Sequence, residues 1–87
     1  MHNLICELMG FVDSQLGAEE SGQVDWLAAS DEALGWIGRL DEQDMDVSPA
    51  VFLFLEETLQ RRDPQFGQLR RAELRKALAD GTAFPAG

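Results

Sequence analysis

The sequence predicts an all-α protein, a compact bundle of four short helices, or of five if the second helical segment breaks. Apolar residues recur at steps of three and four along most of the chain, which is the spacing of one helix face. Two pairs, Ser48-Pro49 and Asp63-Pro64, place a capping side chain before a proline, a combination typical of a helix start. With 87 residues, of which 45% are hydrophobic, the chain is expected to form one domain around one core.

The first helix is predicted from an apolar stripe near the start of the chain. Asn3 is expected to cap this helix and Gly17 to end it, so that residues 17–22 form a loop. Gly10 lies inside the helix and costs about 1 kcal/mol relative to alanine, so tertiary packing is expected to hold the helix in place. The stripe consists of Leu4, Ile5, Leu8, Phe11, Val12 and Leu16.

The second segment is predicted to run from about residue 23 to residue 40 as a single helix. Ser30 precedes two acids and is another candidate N-cap, so the alternative is a short turn followed by a helix that starts there. Trp26 and Trp36 lie about 80° apart around a helix. Either one of them is in the core and the other at its edge, available to a partner, or both complete the core. The apolar face comprises Trp26, Ala29, Ala33, Trp36, Ile37 and Leu40.

The third helix is predicted to follow an acidic loop at residues 41–47. Ser48 is the expected N-cap, and Pro49 occupies the first helical position, where its missing N–H has no cost. The run at residues 51–55 is apolar on nearly every side, which favours a position at the centre of the bundle.

The last helix is predicted to run from about Pro64 to residue 79 and to end at Gly81. Its apolar positions are Leu69, Leu74, Ala77 and Leu78. Residues 1–81 therefore form the predicted helical domain. Residues 82–87 form a C-terminal tail that is expected to be disordered unless Phe84 packs back onto the body.

The charge of the chain is divided along its length. Residues 1–60 contain thirteen acidic residues and one basic residue, whereas residues 61–87 contain six basic and three acidic ones, and the net charge is −9. In a bundle, the acidic helices are expected to neutralise much of the basic end, and Glu57 stands four residues before Arg61 in the favourable orientation for an ion pair. The net charge argues against anionic membrane surfaces and against direct contact with nucleic acid.

Residues that support catalysis are few. The chain has one histidine and one cysteine, His2 and Cys6, and no third group is evident that would orient a base between them. Cys6 lies beside the apolar stripe and is expected to be a small buried hydrophobic residue. We therefore predict that the protein is not an enzyme and holds no cofactor.

The acidic loop resembles a calcium-binding loop only in part. Asp44, Asp46 and Ser48 fall at the first, third and fifth positions of an EF-hand loop. Pro49 stands where that loop needs glycine, and Leu55 stands where it needs a bidentate glutamate. No metal site is predicted.

The N-terminal residues and the cysteine content indicate a cytoplasmic protein. The N-terminus has no basic segment, and acids interrupt its apolar stretch, so no signal peptide is predicted. The longest apolar run is too short to cross a membrane. A single cysteine forms no internal disulfide, which is consistent with a reducing compartment.

Two classes of function remain. The first is a non-catalytic protein-binding module, a stoichiometric inhibitor or regulator of a partner with a basic surface. In size and charge the chain resembles the acidic decoy proteins that phages use against restriction or CRISPR machinery, which implies a partner that handles nucleic acid. The second class is a structural or oligomerisation element, a homodimer held by surplus apolar surface. The predicted partner-binding residues are Trp26, Asp31, Glu32, Asp41, Glu42, Asp44 and Asp46.

Overall fold

The fold is all-α, as the sequence predicts. The computed structural model describes residues 3–84, so His2 and the last three residues of the predicted tail lie outside the described part of the chain. Its helices are α1 (Leu4–Ser21), α2 (Trp26–Glu42), α3 (Pro49–Glu56) and α4 (Pro64–Asp80), with a short 3₁₀ helix at Leu59–Arg62 between α3 and α4. The Cα radius of gyration is 12.3 Å, close to the value of about 12 Å expected for a compact chain of this length.

The core is built from one face of each helix. Helix α3 contacts both α2 and α4, and the apolar stripe of α1 packs into the same cluster. Phe54 is 1% exposed and Phe52 is 39% exposed, so the third helix is central but is not buried on every side. The buried cluster consists of Leu8, Val12, Leu16, Ala33, Trp36, Leu40, Val51, Phe54, Leu55, Leu74 and Ala83.

Helix α1 is longer than predicted. Asn3 caps its start, and its side chain accepts hydrogen bonds from the backbone N–H groups of Ile5 and Cys6. Gly17 does not end the helix, which continues to Gly22, a residue in the left-handed conformation with φ 76°. The prediction of a loop at residues 17–22 was therefore wrong. The extra turn brings Glu19 into the protein interior.

Helix α2 is a single helix, which decides between the two predicted alternatives. Asp25 caps its start by accepting a hydrogen bond from the N–H of Ala28, so Ser30 lies inside the helix. The helix continues to Glu42, and the acidic loop is correspondingly shorter than predicted. Asp44 follows in the left-handed conformation with φ 51°, and the N–H of the next residue, Met45, bonds to the carbonyl of Leu40.

The C-terminal segment folds back onto the loop before α3. The N–H of Ser48 donates a hydrogen bond of 3.2 Å to the carbonyl of Ala83, which is buried. Phe84 is half-buried and packs against the core. These contacts fix the loop that connects α2 to α3.

Two apolar residues lie outside the core, contrary to prediction. Leu69 of α4 is 54% exposed, because the face that α4 buries is centred on Gly67 and Leu74. Cys6 is exposed on α1 and is not a core residue. No helix in the described part of the chain has the length and apolar content that a membrane span requires.

Two glycines of α1 are expected to respond in opposite ways to alanine. Gly17 is helical, and a Cβ there meets nothing within 4 Å, so Gly17→Ala should raise the free energy of unfolding by about 1 kcal/mol. Gly22 has the same free space but a positive φ, so Gly22→Ala should lower it by about 1 kcal/mol. Urea denaturation measures both changes. Equal effects would contradict the assignment of Gly22 as the helix end.

Candidate protein-binding surface

The basic residues of the last third of the chain are largely neutralised within the molecule. Arg61, the most buried of them, holds the carboxylate of Glu19, with Nε 2.9 Å from Oε1 and Nη2 2.8 Å from Oε2. Both side chains are fully buried. Glu19 also accepts a hydrogen bond from Arg71 at 2.9 Å and one from Gln15 at 2.8 Å. This buried ion-pair cluster joins α1, the 3₁₀ helix and α4.

Arg61 also makes contacts that fix its own side chain. Its Nη1 donates a hydrogen bond to the carbonyl of Phe54, and its guanidinium lies 3.6 Å from the centre of the Phe54 ring. The ion pair of Glu57 with Arg61 predicted from their spacing is therefore wrong. Glu57 instead pairs with Arg70, whose Nε lies 2.8 Å from its Oε1. The chain tightens into a 3₁₀ helix after α3, and Arg61 turns inward.

The remaining ion pairs of this region lie on the surface. Arg70 also pairs with Glu73 at 3.1 Å, and Arg75 of α4 pairs with Glu20 of α1 at 2.6 Å. Lys76 pairs with Asp80 at 2.8 Å. Together with Arg61 and Arg71, these account for five of the six basic residues of the last third. The basic end therefore presents little positive charge to a partner.

Two of the acidic partners, Glu19 and Glu20, have lowered pKa values. Burial alone would raise the pKa of Glu19, but the hydrogen bonds from Arg61 and Gln15, the charge of Arg61 and the hydrogen bond from Arg71 lower it. The hydrogen bond from Arg75 lowers the pKa of Glu20. Because both folded values lie below the unfolded ones, both groups stabilise the fold above the unfolded pKa. This stabilisation is lost as the pH falls through the folded pKa.

The six predicted partner-binding carboxylates lie on α2 and in the loop after it, and all are exposed. None of them lies within 4.0 Å of a lysine or arginine nitrogen in residues 3–84. Asp31 and Asp41 fall on the solvent-facing side of α2 within about 80° of each other, whereas Glu32 falls nearer the buried side. The carboxylates are Asp31, Glu32, Asp41, Glu42, Asp44 and Asp46.

An open apolar cleft of about 690 Å³ lies between the C-terminal half of α2 and the start of α3. Two of the predicted carboxylates, Asp41 and Asp46, line it together with apolar groups. Its volume is in the range of ligand-binding clefts. We call this feature the α2–α3 cleft; its apolar lining consists of Ile37, Gly38, Leu40, Met45, Val47, Pro49, Phe52 and Leu53.

The caps of the two helices position the cleft. Helix α2 ends at Glu42, Asp44 follows in the left-handed conformation, and Ser48 caps α3 by accepting a hydrogen bond of 3.3 Å from the N–H of Val51. The loop between them is short, and Met45 and Val47 in it pack against the core. Phe52 and Leu53 on α3 then face Ile37 and Gly38 on α2 across the cleft.

Trp26 is not part of the α2–α3 cleft. It is half-buried in the first turn of α2, about 22 Å along the helix from Asp41. Trp36 is buried and packs beside Phe11, with ring centres 6.1 Å apart, and under Arg39 at 4.2 Å. Of the two predicted arrangements, the structure has one tryptophan in the core and the other at its edge.

Sequence reasoning missed the apolar lining of the cleft. The sequence pattern places Ile37 on the core face of α2 and Phe52 on a central helix that is apolar on nearly every side, and neither prediction indicates a cleft. The sequence feature that indicates such a cleft is the surplus of apolar residues in α3, because a short helix in a bundle of this size does not bury all of them.

Within residues 3–84, no group of three or more His, Cys, Asp or Glu side chains is arranged to hold a metal ion. The fold and the site thus define a small all-α bundle with an acid-lined apolar cleft. Comparison with protein-family models, with curated protein sequences and with solved structures found no match to this chain.

Proposed function

We propose that this protein is a non-catalytic binding module, a stoichiometric inhibitor or regulator of a protein partner that has a basic surface. One observation carries the proposal. The basic residues of the last third are engaged with carboxylates of the same chain, whereas the carboxylates of α2 and its following loop are exposed without a basic partner. These carboxylates therefore leave negative charge on the surface of α2 and its following loop that no basic residue of residues 3–84 neutralises.

A surface of this kind favours a particular class of partner. Its field attracts basic proteins, accelerates their association and repels nucleic acid and anionic membranes. Many basic protein surfaces exist to hold nucleic acid, so a protein or complex that handles nucleic acid is the preferred partner. The carboxylates would then occupy the place of phosphates, as in the acidic decoy proteins of phages. The proposed compartment is the cytoplasm.

The second candidate function is a homodimeric assembly element, and exposed apolar residues favour it. Leu27 and Leu34 of α2 are 70% and 59% exposed. A two-fold interface centred on this face, however, would set the carboxylates Asp31 and Asp41 of one copy near those of the other. Sedimentation equilibrium at low and high salt distinguishes the two functions, since a monomer at both supports the heterologous partner and a stable dimer supports self-assembly.

The proposal predicts that removing the acidic charge slows partner binding. The variant Asp41→Lys/Asp44→Asn/Asp46→Lys changes the charge by five; asparagine is used at position 44 because it tolerates the left-handed backbone. The partner is captured from an extract of the source organism on the immobilised protein, identified by mass spectrometry and purified. Its association rate at low salt should fall about tenfold in this variant, and the wild-type rate should fall as salt rises.

A matched control makes the same change of charge outside the cleft. In Asp13→Lys/Glu56→Lys/Asp80→Asn, all three positions are exposed and none lines the α2–α3 cleft. This control should associate with the partner faster than the Asp41→Lys/Asp44→Asn/Asp46→Lys variant, which we call the acidic-loop variant. A partner that binds the acidic-loop variant at the wild-type rate, and that is indifferent to salt, would overturn the proposal.

A further inference from the structure

The solvent-facing side of α2 carries an apolar stripe that leads into the α2–α3 cleft. Leu27, Leu34 and Gly38 recur at steps of seven and four, so they lie on one side of the helix within about 40°. Leu27 and Leu34 are among the most exposed large apolar side chains in residues 3–84. Gly38 lines the cleft, and a Cβ at that position would meet nothing within 4 Å.

Carboxylates accompany this apolar stripe along its length. Asp31 lies between the two leucines on the same side of α2, Asp41 lies one turn beyond Gly38, and Asp46 lines the cleft from the following loop. The stripe from Leu27 to Asp41 is about 21 Å long. That length matches about fourteen residues of a second helix. The surface thus combines an apolar groove with carboxylates beside it.

This pattern is complementary to one kind of occupant. A helix that lies in an apolar groove places side chains at positions i, i+3, i+4 and i+7 into it. Lysine or arginine beside those positions would meet the carboxylates of α2 and the loop. We infer that the α2 stripe and the α2–α3 cleft form a docking site for a basic amphipathic helix of the partner protein, with one large apolar side chain seated in the cleft. This inference rests on the proposed function and names the segment that the partner contributes.

A second copy of the chain is a poorer occupant than a basic helix. Helix α4 carries three of the six arginines, and each of them is already paired: Arg70 with Glu57, Arg71 with Glu19 and Arg75 with Glu20. To present α4 to the cleft, a second copy would have to break these pairs. A two-fold arrangement through α2 would bring acid against acid.

The experiment uses a synthetic probe and a blocked cleft. The probe is a fluorescent peptide of about eighteen residues with leucines on one helical face and lysines beside them, a length that spans the stripe. Gly38→Trp fills the cleft with an indole and should not impair folding, because the position is helical and open. Gly10→Trp is the matched control, since Gly10 is also helical, exposed and open but lies on α1.

Fluorescence polarisation at low salt gives the affinities, and circular dichroism verifies that each variant is folded. The probe should bind the wild type and the Gly10→Trp variant equally, and it should bind the Gly38→Trp variant at least tenfold more weakly. Leu34→Ser should weaken binding several-fold, because it removes an apolar side chain from the stripe. It should leave the fold intact, because this leucine is mainly exposed and contributes little to the core. A peptide of the same composition in scrambled order should bind weakly to all of them.

The outcomes separate this inference from the proposed function. If the ordered and scrambled peptides bind equally, or if Gly38→Trp leaves the affinity for the peptide unchanged, the proposed docking site is wrong. The proposed function still stands in that case, as long as the association rate of the partner depends on the acidic residues. If a small apolar dye binds the cleft and the peptide does not, the cleft is a small-molecule site and the inference is overturned.

Discussion

Arg61→Met is expected to lower the free energy of unfolding by about 3–5 kcal/mol, because it removes one partner of a buried ion pair. Methionine is unbranched and keeps the contact with the Phe54 ring, so the loss arises mainly from charge and hydrogen bonding. Glu19 would keep only Arg71 and Gln15 as donors, and the carbonyl of Phe54 would lose the donor from Arg61. A small domain has a total stability of about 5–15 kcal/mol, so this variant would be close to unfolding.

Urea denaturation of Arg61→Met, Glu19→Gln and the double variant measures this effect. Glu19→Gln removes the buried negative charge, so the double variant should lose less stability than the sum of the two single losses. Arg75→Met is the control, since its pair with Glu20 is about half exposed and its removal should leave the unfolding midpoint near that of the wild type. Equal midpoints for Arg61→Met and Arg75→Met would contradict the role of the buried cluster.

Gly67→Ala is expected to be the most destabilising glycine-to-alanine substitution in residues 3–84. A Cβ at position 67 would lie 2.5 Å from the carbonyl oxygen of Arg61 and 2.8 Å from Nη1 of Arg71. The carbonyl belongs to the backbone of the 3₁₀ helix, so α4 would have to move away from it and disturb the cluster around Glu19. The expected loss is about 1–3 kcal/mol, even though alanine is the better helix former.

Gly35→Ala is the reference variant for Gly67→Ala, and thermal or urea denaturation measures the stability of both. Gly35→Ala places a methyl group in open space inside α2 and should be stabilising, so the two substitutions should shift the unfolding midpoint in opposite directions. If Gly67→Ala is as stable as the wild type, the close approach of α4 to the 3₁₀ helix is wrong.

Three of the four helix starts were predictable, whereas α2 starts at Trp26 behind the cap Asp25 and not at about residue 23. Asn3, Ser48 and Asp63 each accept a hydrogen bond from a backbone N–H two or three residues ahead. This interaction depends only on local sequence, so the residue types identify it. Proline after Ser48 and Asp63 strengthens the same signal.

Helix ends were harder to predict, because they depend on tertiary packing. A glycine inside a helix costs only about 1 kcal/mol. The burial of Glu19 beyond Gly17 outweighs this cost through its contacts with the 3₁₀ helix and α4. Nothing local distinguishes Gly17, which is helical, from Gly22, which is left-handed.

The candidate site was predictable in part. All six carboxylates are exposed, as the hydration of charged side chains leads one to expect, and their part in binding stays a prediction. The particular ion pairs of the basic end were not predictable, because Glu19 and Arg61 are 42 residues apart in sequence and meet only after the bundle forms. The α2–α3 cleft likewise exists only once Phe52 and Ile37 lie on facing helices.

The most direct test of the proposed function compares association of the purified partner with the two variants that change five charges. At low salt, the Asp41→Lys/Asp44→Asn/Asp46→Lys variant should associate about tenfold more slowly than the wild type, and the control changed at positions 13, 56 and 80 should associate clearly faster than this variant. Equal rates for the two variants would mean that only net charge matters. Rates equal to that of the wild type for both would contradict an electrostatic interface altogether.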